Sequence, residues 1–132
     1  MMEHRPGAGD EDRRRHVGMT MPRAVKEQML SAAEAIGWPA GRWALTAAAE
    51  HGPGLQEALR GRAVLRRVPQ ADPAFAALYL TLDERAELDD LAVACGLNRS
   101  AFVTAVARLA LGQSIEDVRA SLVPGPGTTE EA

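Results

Sequence analysis

The sequence predicts a mainly α-helical fold built from one strand–helix–turn–helix unit used twice. Three observations carry this. Aromatic residues make up only 4% of the chain, while alanine and leucine abound. That favours helices, because sandwich strands draw on aromatic and β-branched side chains. Apolar residues recur at helical spacing, as in Leu88, Leu91, Ala92 and Cys95, which marks one buried stripe per helix. Finally, the chain repeats when slid by 59 positions. Met21 falls on Leu80, Met29 on Leu88, Ala33 on Ala92, Gly37 on Gly96, Trp38 on Leu97, Trp43 on Phe102 and Ala47 on Val106. The identities are few, but the apolar positions and the glycine coincide without a gap.

With 132 residues, one small domain is expected. Residues 1–12 are polar and rich in turn formers, and read as a disordered arm. The first unit spans 13–52. In it Val17, Met19 and Met21 alternate with Gly18 and Thr20 as a half-buried strand. Pro22 suits a helix start. Val25, Met29, Ala32, Ala33 and Ile36 form the first helical stripe, Gly37 closes it, and a second helix begins near Pro39 with Trp43, Ala47 and Ala48 inside. A helical linker fills 53–73, with a separate short helix from Leu55 to Arg67 weakened at Gly61.

The second unit spans 74–112. Ala76, Leu78 and Leu80 alternate with Ala77 and Tyr79. Thr81-Leu82-Asp83-Glu84 is a capping box, with Thr81 capping the helix and Glu84 reaching back. Gly96 ends that helix, since glycine takes the left-handed conformation cheaply. Asn98 caps the next helix, whose stripe is Phe102, Val106 and Leu109. A short helix follows over 113–123, then a disordered tail over 124–132.

The strand, the Thr-x-x-Glu helix start and the turn Gly96-Leu97-Asn98-Arg99-Ser100-Ala101-Phe102 resemble the ribbon-helix-helix DNA-binding family. Leu78 to Leu111 matches best. Val17 to Ala49 matches more loosely, since Gly37-Trp38-Pro39-Ala40-Gly41 lacks the polar cap. The resemblance implies a tandem pseudo-dimer within one chain. One two-stranded antiparallel ribbon would sit on four core helices, with short extra helices besides. A lone strand leaves backbone donors and acceptors unpaired, so the second copy supplies the partner. Tandem units look like those of certain relaxosome accessory proteins of plasmid conjugation.

The resemblance also implies where DNA chemistry would lie. The ribbon would enter the major groove and read bases with His16, Gly18 and Thr20 from one strand and Phe75, Ala77 and Tyr79 from the other. Phosphate would be gripped by Arg14, Arg15, Gly41, Arg42, Asn98, Arg99 and Ser100, through helix-start amides and positive charge. Arg13, Arg23 and Lys26 would add charge. The sequence departs from the family on the ribbon, where no outward position holds Arg, Lys, Asn or Gln.

Charge segregation fits a polyanion contact for one half. Residues 13–67 carry net +6, and residues 68–132 net −6. The partner expected is double-stranded DNA, with a relaxase, a toxin or a second copy of the chain as protein partners. The expected role is transcriptional regulation, as in a repressor. Relaxosome assembly and an antitoxin-like interaction module are the alternatives. No membrane span, export signal, metal site or cofactor is read, and a reducing cytoplasm suits the single Cys95. No catalytic residue is assigned, because His4, His16 and His51 do not cluster in sequence.

Overall fold

Residues 13–125 are described by a computed structural model. The arm expected over 1–12 lies outside the described residues, as does the expected tail beyond Gly125. The chain forms β1 (Arg15–Pro22), α1 (Arg23–Ala35), α2 (Ala40–Leu59), β2 (Pro73–Leu80), α3 (Leu82–Ala94), α4 (Arg99–Ala110) and α5 (Ile115–Leu122). Among the described residues the protein is mainly helical, with five helices and one two-stranded antiparallel sheet.

The strands form where apolar residues alternate, since successive side chains of a strand point to opposite faces. Val17, Met19 and Met21 are buried on β1, and Ala74, Ala76, Leu78 and Leu80 on β2. The register runs from Arg15 opposite Leu80 to Pro22 opposite Pro73, with Gly18 opposite Ala77. A slip of one residue would turn the buried set toward solvent, so burial itself fixes this register. The ladder stops at Pro22 and Pro73, neither of which has an N–H to donate.

Helices α1 and α3 each hold 13 residues and start 59 positions apart. They bury Met29 and Ala33 in one, Leu88 and Ala92 in the other. Both end in the same closure. The Gly37 N–H donates to the Glu34 carbonyl and the Trp38 N–H to that of Ala33. The Gly96 N–H donates to Val93 and the Leu97 N–H to Ala92. Gly37 and Gly96 take φ of 73° and 76°, the left-handed cap that a side chain would strain. At the start of α3 the capping box is complete. The Glu84 N–H donates to Thr81 Oγ1 at 3.1 Å, and the Thr81 N–H to Glu84 Oε1 at 2.9 Å.

One expected element is corrected. The short helix expected over Leu55 to Arg67 is not separate: α2 runs unbroken through Pro53 to Leu59, and residues 60–72 have no regular structure. Proline inside a helix costs about 3 kcal/mol. Leu55 is fully buried and Leu59 is 5% exposed. Burying two leucines contributes roughly 3–6 kcal/mol, which offsets that cost. The stripe Ala44, Ala48, Gly52, Leu55 and Leu59 stays on one face through the proline.

The core lies beneath the sheet, where α2 and α4 pack most extensively against each other. Phe102 is its fully buried centre. Gly52 brings α2 close to that ring, 3.5 Å from where a Cβ would stand. Helix α5, capped by Ser114, closes one side with Val118 and Leu122. The irregular segment 60–72 is tied down at three points. The Leu65 N–H donates to the Leu122 carbonyl, Gln70 Nε2 to the Thr20 carbonyl, and the Arg23 N–H to the Asp72 carbonyl. No helix among the described residues is long and apolar enough to cross a membrane.

Candidate nucleic-acid interface

The outer face of the ribbon holds the six residues assigned to base reading. His16, Thr20, Phe75 and Tyr79 are exposed, and Gly18 and Ala77 half-buried. They form three cross-strand pairs: His16 with Tyr79, Gly18 with Ala77, and Thr20 with Phe75. The rings are not splayed at random. The His16 and Tyr79 rings lie 4.2 Å apart at 45°. The Phe75 ring leans diagonally across Gly18, where a Cβ would fall 2.9 Å from two of its atoms. The backbone of Thr20 is pinned on both sides, its N–H donating to Ser100 Oγ at 2.9 Å and its carbonyl accepting from Gln70.

Two helix starts reach this ribbon, one from each side. At the start of α2, Gly41 is buried against β2, and a Cβ there would stand 2.7 Å from the Tyr79 carbonyl oxygen. At the start of α4, Ser100 meets β1 through its hydroxyl. Helix starts present free N–H groups and a positive dipole end. The α4 start is capped by Asn98, whose Oδ1 accepts from the Ala101 N–H at 2.8 Å. The α2 start, at Pro39, has no side-chain cap.

The structure redistributes the residues assigned to phosphate. Arg99, assigned to phosphate, is engaged within the fold. Its guanidinium meets both Asp89 oxygens at 2.9 and 2.8 Å and donates to the Gly18 carbonyl at 3.2 Å. Such two-pronged pairs are among the stronger charged hydrogen bonds. The hydrogen bond from Arg99 holds the Asp89 carboxyl below the usual range, and Asp89 in turn raises Arg99. The side chains of Asn98 and Ser100 are likewise committed to the fold.

Arg14 pairs with Glu84, where burial pushes the carboxyl up but hydrogen bonds from Thr81 and Arg14 outweigh it. Arg42 lies over the Trp38 ring at 4.0 Å, exposed beside the α2 start, a contact a cation favours. Arg15 sits opposite Leu80 at the ribbon end. Of the charges expected to help, Arg23 binds Asp72 at 3.0 Å and Lys26 donates to the Phe75 carbonyl at 2.8 Å. Arg23 therefore fastens α1 to the end of the 60–72 segment, and Lys26 fastens it to β2.

The sequence reading missed two arginines. Arg66 and Arg67 line a cleft of about 240 Å³ at the α4 start, together with Gln70, Asn98 and Ser100. At the α2 start the corresponding cleft, about 480 Å³, is lined by Arg14, Pro39, Arg42, Tyr79 and Glu84. Each end of the ribbon thus meets a helix start with arginines beside it. The adjacent pair Arg66-Arg67 is visible in the sequence, but only the path of the 60–72 segment brings it there.

Among the described residues, reactive groups elsewhere do not converge. Cys95 is buried beside the Gly52 carbonyl, and burial raises its thiol, which keeps it protonated and inert. His51 lines a separate cleft with Trp38, Trp43 and Glu50. No cluster of His, Cys, Asp and Glu able to hold a metal occurs among the described residues. In comparisons with known proteins, no family model, curated protein or solved structure matches this chain.

Proposed function

We propose that this chain is a tandem ribbon-helix-helix protein that binds double-stranded DNA, laying its β1–β2 ribbon into the major groove. The observation that carries the reading is the exposed ribbon face flanked at both ends by a helix start and arginines. The major groove is wide enough for a two-stranded ribbon. Helix starts and arginines on either side would meet the phosphates that border it.

Internal symmetry supports the tandem part. Gly18 and Ala77 are 59 positions apart and face each other, so the register is symmetric about that pair. Exchanging the two copies turns Thr20–Phe75 into Tyr79–His16. The helix-start contacts exchange as well. Gly41 packs on Tyr79 and Ser100 on Thr20, and each pair lies one repeat from the other. Each second helix therefore braces the strand of the other copy, as two interlocked subunits would.

Phosphate contact would rest on Arg14, Arg15, Arg42, Arg66 and Arg67 and on the backbone N–H groups at the starts of α2 and α4. Asn98, Arg99 and Ser100 would hold those starts in place. The role this fits best is transcriptional regulation. Assembly of DNA at a transfer origin uses the same contacts. A second reading, a protein-interaction module, is favoured by one observation: Phe75 and Tyr79 are 66% and 56% exposed on a ribbon face whose outward positions carry no amide or guanidinium side chain.

Fluorescence anisotropy separates these readings. The probes are a duplex from upstream of the protein's own gene and a random duplex, each at low and physiological salt. DNA regulation predicts site-dependent binding that survives physiological salt. Binding equal on both duplexes and lost with salt, or no binding, would transfer the function to a protein partner.

A further inference from the structure

We infer that the ribbon reads the C5 methyl group of pyrimidines, preferring thymine and 5-methylcytosine to their unmethylated counterparts. The inference rests on the DNA-binding reading above and names the chemistry that the same face would recognise. Base edges in the major groove offer hydrogen-bond donors and acceptors, and at thymine a C5 methyl group. Reading the polar pattern in two-pronged fashion calls for side chains that present two hydrogen-bonding groups side by side, such as Arg, Asn or Gln. None of His16, Gly18, Thr20, Phe75, Ala77 and Tyr79 is of that kind. Thr20 adds little through its backbone, whose N–H and carbonyl are taken by Ser100 and Gln70.

The face offers shaped apolar surface instead. Phe75 is 66% exposed, and its ring reclines over Gly18 because that position has no side chain. Tyr79 is 56% exposed and braced by the His16 ring at 4.2 Å. Ala77 lies between them on the same strand, with a small methyl of its own. Lys26 holds the Phe75 carbonyl and Gly41 abuts the Tyr79 carbonyl, so the backbone under both rings is fixed. The Phe75 and Tyr79 rings both come from β2. The reading is therefore lopsided, strong on the half-site under β2 and weak under β1.

Each methyl group buried against a ring is expected to contribute about 4-fold in affinity, and two together on the order of 10-fold. The test uses the upstream duplex synthesised with thymine and, in parallel, with 2′-deoxyuridine, which removes only the C5 methyl. A third copy carries 5-methylcytosine for cytosine. Anisotropy titrations compare wild type with the Phe75→Ala/Tyr79→Ala double variant, whose folding is checked by circular dichroism. The expected result is about 10-fold weaker wild-type binding to the deoxyuridine duplex. The 5-methylcytosine duplex should bind more tightly than its unmethylated parent, and the double variant should bind all three alike. Equal wild-type binding to thymine and deoxyuridine duplexes overturns methyl reading and leaves DNA binding intact. A methyl preference unchanged in the double variant overturns the assignment to these rings. Absence of binding to every duplex overturns the DNA reading, and this inference with it.

Discussion

The starts of α2 and α4 lie 59 positions apart in the chain and reach the ribbon by opposite chemistry. At α2 the approach is steric: Gly41 has no side chain, and the backbone of β2 takes the space. At α4 it is polar: Ser100 accepts from Thr20, Asn98 caps the helix, and Arg99 links Asp89 to the Gly18 carbonyl. One geometry can thus be met by removing atoms or by adding hydrogen bonds. The two solutions should fail differently. A steric fit fails when atoms are added and is indifferent to pH. A polar fit fails when partners are removed or titrated.

Exchanging the two residues gives the largest expected contrast. Gly41→Ser drives a Cβ against the Tyr79 carbonyl and should cost about 3 kcal/mol, the upper range for overpacking. Ser100→Gly removes one hydrogen bond and should cost about 1 kcal/mol. Thermal denaturation of both variants checks this. Similar losses in the two would mean that the α2 start does not depend on close approach. Gly18 sharpens the point, because a Cβ there meets only a movable ring. Gly18→Ala should therefore cost less than either substitution while displacing Phe75 from its resting place.

Next in size is the cap. Asn98→Ala should destabilise by about 1 kcal/mol. Pro39 at the α2 start makes no side-chain cap, so Pro39→Ala should lose no such bond. Urea denaturation of the two variants measures the difference directly.

The acid response of the α4 side is a further prediction. Hydrogen bonding from Arg99 lowers the Asp89 carboxyl below its ordinary value. A carboxylate lowered on folding stabilises the native state above its unfolded pKa of about 3.9, and that contribution is lost as pH falls through the lower folded value. Asp89→Asn should therefore destabilise the protein near neutrality and flatten its acid denaturation below about pH 4. An acid limb as steep as that of wild type would contradict the tie. The smallest effect belongs to the Arg14–Glu84 pair, whose arginine side chain is 56% exposed. Arg14→Gln should change stability by less than about 1 kcal/mol, since exposed pairs contribute little. On the proposed DNA-binding function, its effect should appear instead as weaker, less salt-dependent binding to duplex DNA.

Local signals in the sequence were legible because their physics is local. Thr81 and Glu84 are three residues apart and satisfy each other. Gly37 and Gly96 close helices that their own stripes define, and strand alternation sets which faces of β1 and β2 are buried. What escaped depends on distant partners. Arg99 has no visible partner in the sequence, and only the fold brings Asp89 on α3 and the Gly18 carbonyl on β1 to it. The helix expected to start anew at Leu55 is a continuation of α2, and only burial of Leu55 and Leu59 beneath the fold carries that helix past Pro53. Arg66 and Arg67 gain a place at the candidate site from the course of an irregular segment, which no periodicity records.

The most direct test of the central claim, that the ribbon is the DNA-binding face, is amide shift mapping by NMR. Isotope-labelled protein is titrated with the upstream duplex. The account predicts shifts concentrated at residues 16–20 and 75–79, at the starts of α2 and α4, and at Arg66 and Arg67. Shifts confined to the outer faces of α1 and α3, with the ribbon silent, would contradict it.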